Sequence, residues 1–116
     1  MSKFSIALHG GAGTISKKEF TEEIEKTYVD ALTMALETGK LILKNKGSAI
    51  EAVEAVVRKM EDFPYFNAGR GSVYSHEGLH EMEASIMDGK TLKAGAVAGI
   101  TKTKNGWRAI SRVRRA

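Results

Sequence analysis

Between Ser48 and Pro64 the chain has room for one kind of structure. Ser48-Ala49-Ile50-Glu51 is a capping box. The serine hydroxyl can accept from the amide three residues on, while the glutamate reaches back to the serine amide. Ala49, Val53, Val56, Val57 and Met60 then recur at helical spacing and form one apolar face. Pro64 has no amide proton and stops the helix, and it biases Phe63 to an extended conformation. A helix with both ends fixed by chemistry anchors the rest of the reading.

A second helical stripe precedes it. Ile24, Tyr28, Ala31, Leu32, Ala35 and Leu36 fall at three- and four-residue steps. Thr21 is the candidate N-cap, with Glu22 and Glu23 placed against the helix dipole, although Ser16 with Glu19 offers an earlier start. Asn45-Lys46-Gly47 supplies the stop. Two helices joined by so short a turn should pack antiparallel and cover one sheet face.

The flanks read as strands. Residues 4–8 are a short apolar run ending in His9-Gly10-Gly11-Ala12-Gly13, the pattern of a buried strand entering a tight loop. Residues 72–75 and 79–87 predict a hairpin across His76-Glu77-Gly78. Asp88-Gly89 is a second turn, and residues 92–100 are a further strand rich in Ala and Gly. This order gives an α+β class, helices stacked on an antiparallel sheet.

Composition narrows the function. With 116 residues there is room for one domain. The absence of cysteine excludes disulfides, thiolate catalysis and thiolate metal sites. The net charge of +4 comes wholly from Arg108, Arg112, Arg114 and Arg115, because the residues up to Lys104 balance 14 basic against 14 acidic side chains. A neutral body with a basic tail is not a phosphate-binding face, so nucleic acid is not an expected partner. The first apolar run is too short for a signal or membrane segment, which predicts a cytoplasmic location and no membrane.

Five segments resemble the isoaspartyl peptidase/L-asparaginase family in order and spacing. They are His9-Gly-Gly-Ala-Gly-Thr14, Gly47-Ser-Ala-Ile-Glu-Ala-Val53, Phe66-Asn-Ala-Gly-Arg-Gly71, Glu81-Met-Glu-Ala-Ser-Ile-Met-Asp-Gly89 and Leu92-Lys-Ala-Gly-Ala-Val-Ala-Gly99. Together they cover about residues 4–104. The resemblance implies part of a four-layer αββα N-terminal-nucleophile hydrolase. In that family a precursor cuts itself before a threonine, whose freed amine activates its own hydroxyl. The hydroxyl attacks the side-chain amide of asparagine or a β-aspartyl peptide bond.

Residue by residue, the resemblance places Gly10 and Gly11 in a loop near that nucleophile, and Asn67 beside it. Local hydrogen bonding within a glycine turn is the competing role for Asn67. Residues 60–70 resemble a sodium-binding loop with backbone carbonyls of Met60, Glu61, Phe63, Phe66, Ala68 and Arg70 as donors. A loop ordered by Pro64 and aromatic packing alone is the alternative. Beyond that structural sodium no cofactor is implied. Glu81 and Glu83 share a strand face and read as a polar surface rather than a catalytic pair.

No nucleophile is legible. The threonines are 14, 21, 27, 33, 38, 91, 101 and 103; only Thr14 follows a glycine, and it belongs to the N-terminal loop. Ser2 has no active site around it in sequence. Residues 1–104 are therefore expected to be the N-terminal part of the hydrolase domain, inactive alone. Residues 105–116 depart from the family pattern as a basic tail, of the kind that a reading-frame change, or a genuine splice or gene variant, produces. The expected partners are the small-molecule substrate of the full enzyme and a complementary nucleophile-bearing portion, with self-association through open strand edges. A non-catalytic binding module is the competing class. A dinucleotide-binding unit is weaker, because Gly11-Ala-Gly13-Thr-Ile-Ser16 lacks the final glycine of that fingerprint.

Overall fold

The computed structural model describes residues 3–12, 16, 18–101, 110 and 113. Expectations resting on Ser2, Gly13, Thr14, Thr103 and the tail arginines Arg108, Arg112, Arg114 and Arg115 lie outside these residues.

Helix α1 spans Glu22–Lys44 and α2 spans Ala49–Asp62. Thr21 is the N-cap of α1, its hydroxyl accepting from Ile24 N at 3.2 Å. Glu22, Glu23 and Glu25 occupy the first turn, where their charge opposes the positive end of the dipole. Ser16 does bond Glu19 N, but helix begins only after Thr21. The capping box of α2 is complete: Ser48 Oγ accepts from Glu51 N at 3.1 Å and Glu51 Oε2 accepts from Ser48 N at 2.7 Å.

The turn between the helices is a Schellman motif. Gly47 N donates to Ile42 O and Lys46 N to Leu43 O. The residue carrying the positive φ is Lys46, at 63°, rather than the glycine after it. Gly47 is needed for space, since a Cβ there would overlap Ile42.

The buried residues of α1 are Ala31, Ala35 and Gly39, and those of α2 are Ala52, Val56 and Glu61. Small residues let the helices approach closely: a Cβ on Gly39 would stand 2.5 Å from Val56 Cγ2 and 2.7 Å from Ile6 Cδ1. The apolar face of α2 is rotated from its expected position. Ala52 replaces Val53 in the contact, leaving Val53 42% exposed. Helical spacing fixes a stripe's period but not which edge of it meets the neighbour.

Strands β1, Met82–Met87, and β2, Ala94–Ile100, form one antiparallel pair. The register shifts between Met82 and Ala84, so Glu83 stands opposite a bulge at Ala98 and Gly99, the latter with φ 63°. Of the two helices, α2 is the one that lies against β1, while α1 packs mainly on α2. The expectation that both cover one sheet face therefore needs correction. Alternate residues Met82, Ala84 and Ile86 turn inward, and Glu83, Ser85 and Met87 face out.

Two expected strands are absent among the described residues. Residues 4–8 carry no ladder; Ile6 and Leu8 instead pack half-buried against the helices. Residues 72–75 fold back through Ser75 N to Leu79 O at 2.7 Å without forming a strand. A strand needs a hydrogen-bonded neighbour, and the two-stranded sheet offers neither segment one. The β1–β2 connection is also longer than a two-residue turn. Asp88 N donates to Lys93 O and Leu92 N to Asp88 O, with Leu92 at φ 61°.

The caps give a direct test. Ser48→Ala should cost about 1 kcal/mol by removing the acceptor for Glu51 N. Lys46→Gly should stabilise by several tenths of a kcal/mol, because glycine tolerates the positive φ without strain. Thermal unfolding of both variants checks the opposite signs.

Candidate active-site loop

The segment after α2 is held by closely spaced backbone bonds. Phe63 N donates to Met60 O, Ala68 N to Phe66 O at 2.8 Å and Gly71 N to Ala68 O, and Gly69–Gly71 close a 3-10 turn. Aromatic rings hold this loop to the start of α1. Tyr28 meets Tyr65 at 5.6 Å and Phe66 edge-on at 6.2 Å, and Phe63 meets both of those rings. Phe66 is buried, so Asn67 is anchored from the residue before it.

Asn67 points outward from this base. Its Oδ1 accepts from Val73 N at 3.0 Å, tying the loop to the segment that follows. This is the local turn bond anticipated as one of its two roles. Asn67 also lines an open cleft of about 510 Å³ together with Glu61, Ser72, Glu81, Glu83 and Ile110. Glu81 and Glu83 are exposed there, as the polar-surface reading expected.

Gly69 and Gly71 explain the glycine pattern. Gly69 has φ 52°, and a Cβ on it would stand 2.5 Å from both Glu61 Cβ and Glu61 O. A Cβ on Gly71 would overlap Phe66 O and lie 2.8 Å from Pro64 O. Three carbonyl oxygens thus crowd around two backbone positions that only glycine can fill. Among the described residues no group of three or more His, Asp or Glu side chains is placed to hold a metal.

Gly10 and Gly11 lie elsewhere. A Cβ on Gly10 would meet Leu32 of α1 at 3.2 Å, and Gly11, at φ 131°, has no atom within 4 Å of its Cβ position. Neither lines the cleft that holds Asn67.

Two side-chain features were missed in sequence. Glu61 is 2% exposed, and its Oε1 accepts from Ile110 N at 3.1 Å. The signal was present: Glu61 follows Val57 by four residues and so falls within the apolar face. Ser72 Oγ and His80 Nδ1 are 3.2 Å apart, with Tyr74 packed on the imidazole at 4.0 Å between centroids. No sequence spacing announces that pair, because the turn between them creates it. Ile110 and Val113, in the region described above as a tail, are helical and buried.

The sequence profile of a family described as Asparaginase matches residues 2–113. The chain belongs to the asparaginase family. It is 46% identical over 105 residues to the isoaspartyl peptidase of Salmonella typhimurium, covering 90% of this chain and 34% of that protein. It is 52% identical over 101 residues to the plant-type L-asparaginase of Pyrococcus furiosus, covering 87% and 31%. A putative isoaspartyl peptidase/L-asparaginase of Dictyostelium discoideum is 45% identical over 106 residues, covering 90% and 31%. The chain thus spans about a third of the length of these relatives. No helix among the described residues of this asparaginase-family chain is long and apolar enough to cross a membrane.

Substitution at Gly69 should separate crowding from backbone preference. Gly69→Ala should cost more than about 2 kcal/mol, since both the positive φ and the Glu61 backbone oppose it. Gly78→Ala, with φ 77° and open space around it, should cost only about 1 kcal/mol. Equal losses in thermal unfolding would remove the crowding argument.

Proposed function

We propose that this chain is the nucleophile-free portion of an isoaspartyl peptidase/L-asparaginase. The carrying observation is its identity of 46–52% with an isoaspartyl peptidase and a plant-type L-asparaginase over nine-tenths or nearly so of its length. In this reading a threonine from the remaining part of the family enzyme attacks the side-chain carbonyl of asparagine or a β-aspartyl dipeptide. Ammonia or the amine leaves, and water then cleaves the acyl ester to release aspartate. The residues here would shape the site. Asn67 would reach the reacting group from a loop whose position is fixed by Phe66 and the Val73 bond, and Gly10-Gly11 would border the nucleophile.

The threonine hydroxyls support the nucleophile-free reading. Thr21 caps α1, while Thr27, Thr33 and Thr38 donate to carbonyls four residues back within it. Thr91 accepts from Lys93 N. Among the described residues no threonine lines the Asn67 cleft. The αββα sandwich belongs to the same proposal. The outward face of Glu83, Ser85 and Met87 with Ala94, Ala96 and Ala98 is open, as a sheet awaiting a second layer would be.

The loop after α2 fits a hard monovalent cation. Its carbonyl oxygens are the right donor type, and those of Met60, Phe66 and Ala68 each keep a second acceptor position after the N–H bond they accept. Met60, Glu61, Phe63, Phe66, Ala68 and Arg70 would hold sodium through their backbone oxygens. Such an ion would supply fixed geometry and no chemistry of its own.

Two measurements test the proposal. The 116-residue chain should release no ammonia from L-asparagine and no aspartate from a β-aspartyl dipeptide, at least about a thousandfold below a complete relative. Turnover that survives replacement of Ser2 and Thr14 would overturn the nucleophile-free reading. Sodium chloride should raise the melting temperature above that in choline chloride of equal ionic strength, by an amount matching about 1.4 kcal/mol at tenfold excess over Kd. Identical melting in the two salts would remove the cation.

A further inference from the structure

We propose that the Glu61 side chain is a positioning residue, which sets the Asn67 loop by gripping the segment after β2. Its functional meaning rests on the reading of Asn67 above; its structural content does not.

A carboxylate taken out of water loses several kcal/mol of hydration unless hydrogen bonds replace it. Glu61 is 2% exposed, and part of that replacement is the Ile110 N–H, 49 residues away, at 3.1 Å. The same residue is the floor of the loop. Gly69 lies against Glu61 Cα, Cβ and O so closely that a Cβ would not fit. Ile110 is 3% exposed and Val113 8%, and Val113 Cγ1 lies 3.0 Å from the Cβ position of Gly95 on β2. Glu61 therefore touches, through different atoms, the loop on one side and the segment bearing Ile110 on the other. Glu61, Asn67, Gly69 and Ile110 all line one cleft.

An acceptor that grips a distant backbone while its own backbone supports a tight turn transmits position between them. If the carboxylate lets go, α2 can lose its hold on the 3-10 turn at Gly69–Gly71 without α1 being affected. The amides that would report this are Gly71, Ser72 and Val73, which donate to Ala68 O, Gly69 O and Asn67 Oδ1.

The test is amide hydrogen exchange on the whole 116-residue chain and three variants. Glu61→Gln keeps an acceptor oxygen at the same reach, Glu61→Asp draws it back by one methylene, and Glu61→Ala removes it. Exchange at Gly71, Ser72 and Val73 should accelerate at least tenfold in Glu61→Asp and Glu61→Ala. It should stay within threefold of the parent in Glu61→Gln, and α1 amides should stay within threefold in every variant that folds. Unchanged exchange at the three reporters in Glu61→Asp, or acceleration shared equally by α1, overturns the proposal, as does a Glu61→Gln variant no better than Glu61→Asp. The readout involves neither turnover nor sodium, so it stands or falls separately from the activity.

Discussion

The end of α2 is where the structure has least freedom. A carboxylate is buried there, a proline follows two residues after the helix, and a loop doubles back so tightly that two positions accept only glycine. Burying Glu61 without a partner would cost more than a single core contact returns, so the chain must bring a donor to it. That requirement fixes Ile110 against α2, and with it the segment beyond β2. The loop, the second helix and the sheet are thereby held by one side chain's surroundings.

The aromatic cluster completes the arrangement from the opposite side. Tyr28 on α1 reaches Tyr65 and Phe66, so the loop is clamped between the start of α1 and the end of α2. Aromatic pairs of this kind contribute roughly 0.5–1.5 kcal/mol each beyond the area they bury. Asn67, one residue after the buried Phe66, inherits a fixed position and spends its carbonyl oxygen on Val73 N. The role proposed for this asparagine is compatible with its structural one, because a side chain that holds a turn is also one with a defined direction.

The sheet is the less complete half. Its inner face meets α2, and its outer face presents small and polar residues to open space. Exposed apolar side chains gather nearby, with Val73 at 62%, Tyr74 at 69% and Met87 at 53%. The chain spans about a third of the length of the relatives it matches.

Both helices were legible because their ends depend on bonds within four residues: Thr21 to Ile24, Ser48 to Glu51, and the missing amide of Pro64. The family was legible in the same way, from short motifs such as Phe66-Asn-Ala-Gly-Arg-Gly71 kept in order. Residues 4–8 and 72–75 have the composition of strands yet form none, because apolar content shows that a segment wants burial, not that a ladder partner exists. Val53 and Ala52 changed places for a related reason, since only the neighbouring helix selects one edge of a stripe. Sequence alone therefore determined the helix limits, the turn chemistry and the family. The tertiary structure decided which faces are buried, that Glu61 reaches across 49 residues to Ile110, and that Tyr28 of α1 meets Phe66 in the loop after α2. Those outcomes depend on groups brought together from distant parts of the chain, and no local pattern encodes the meeting.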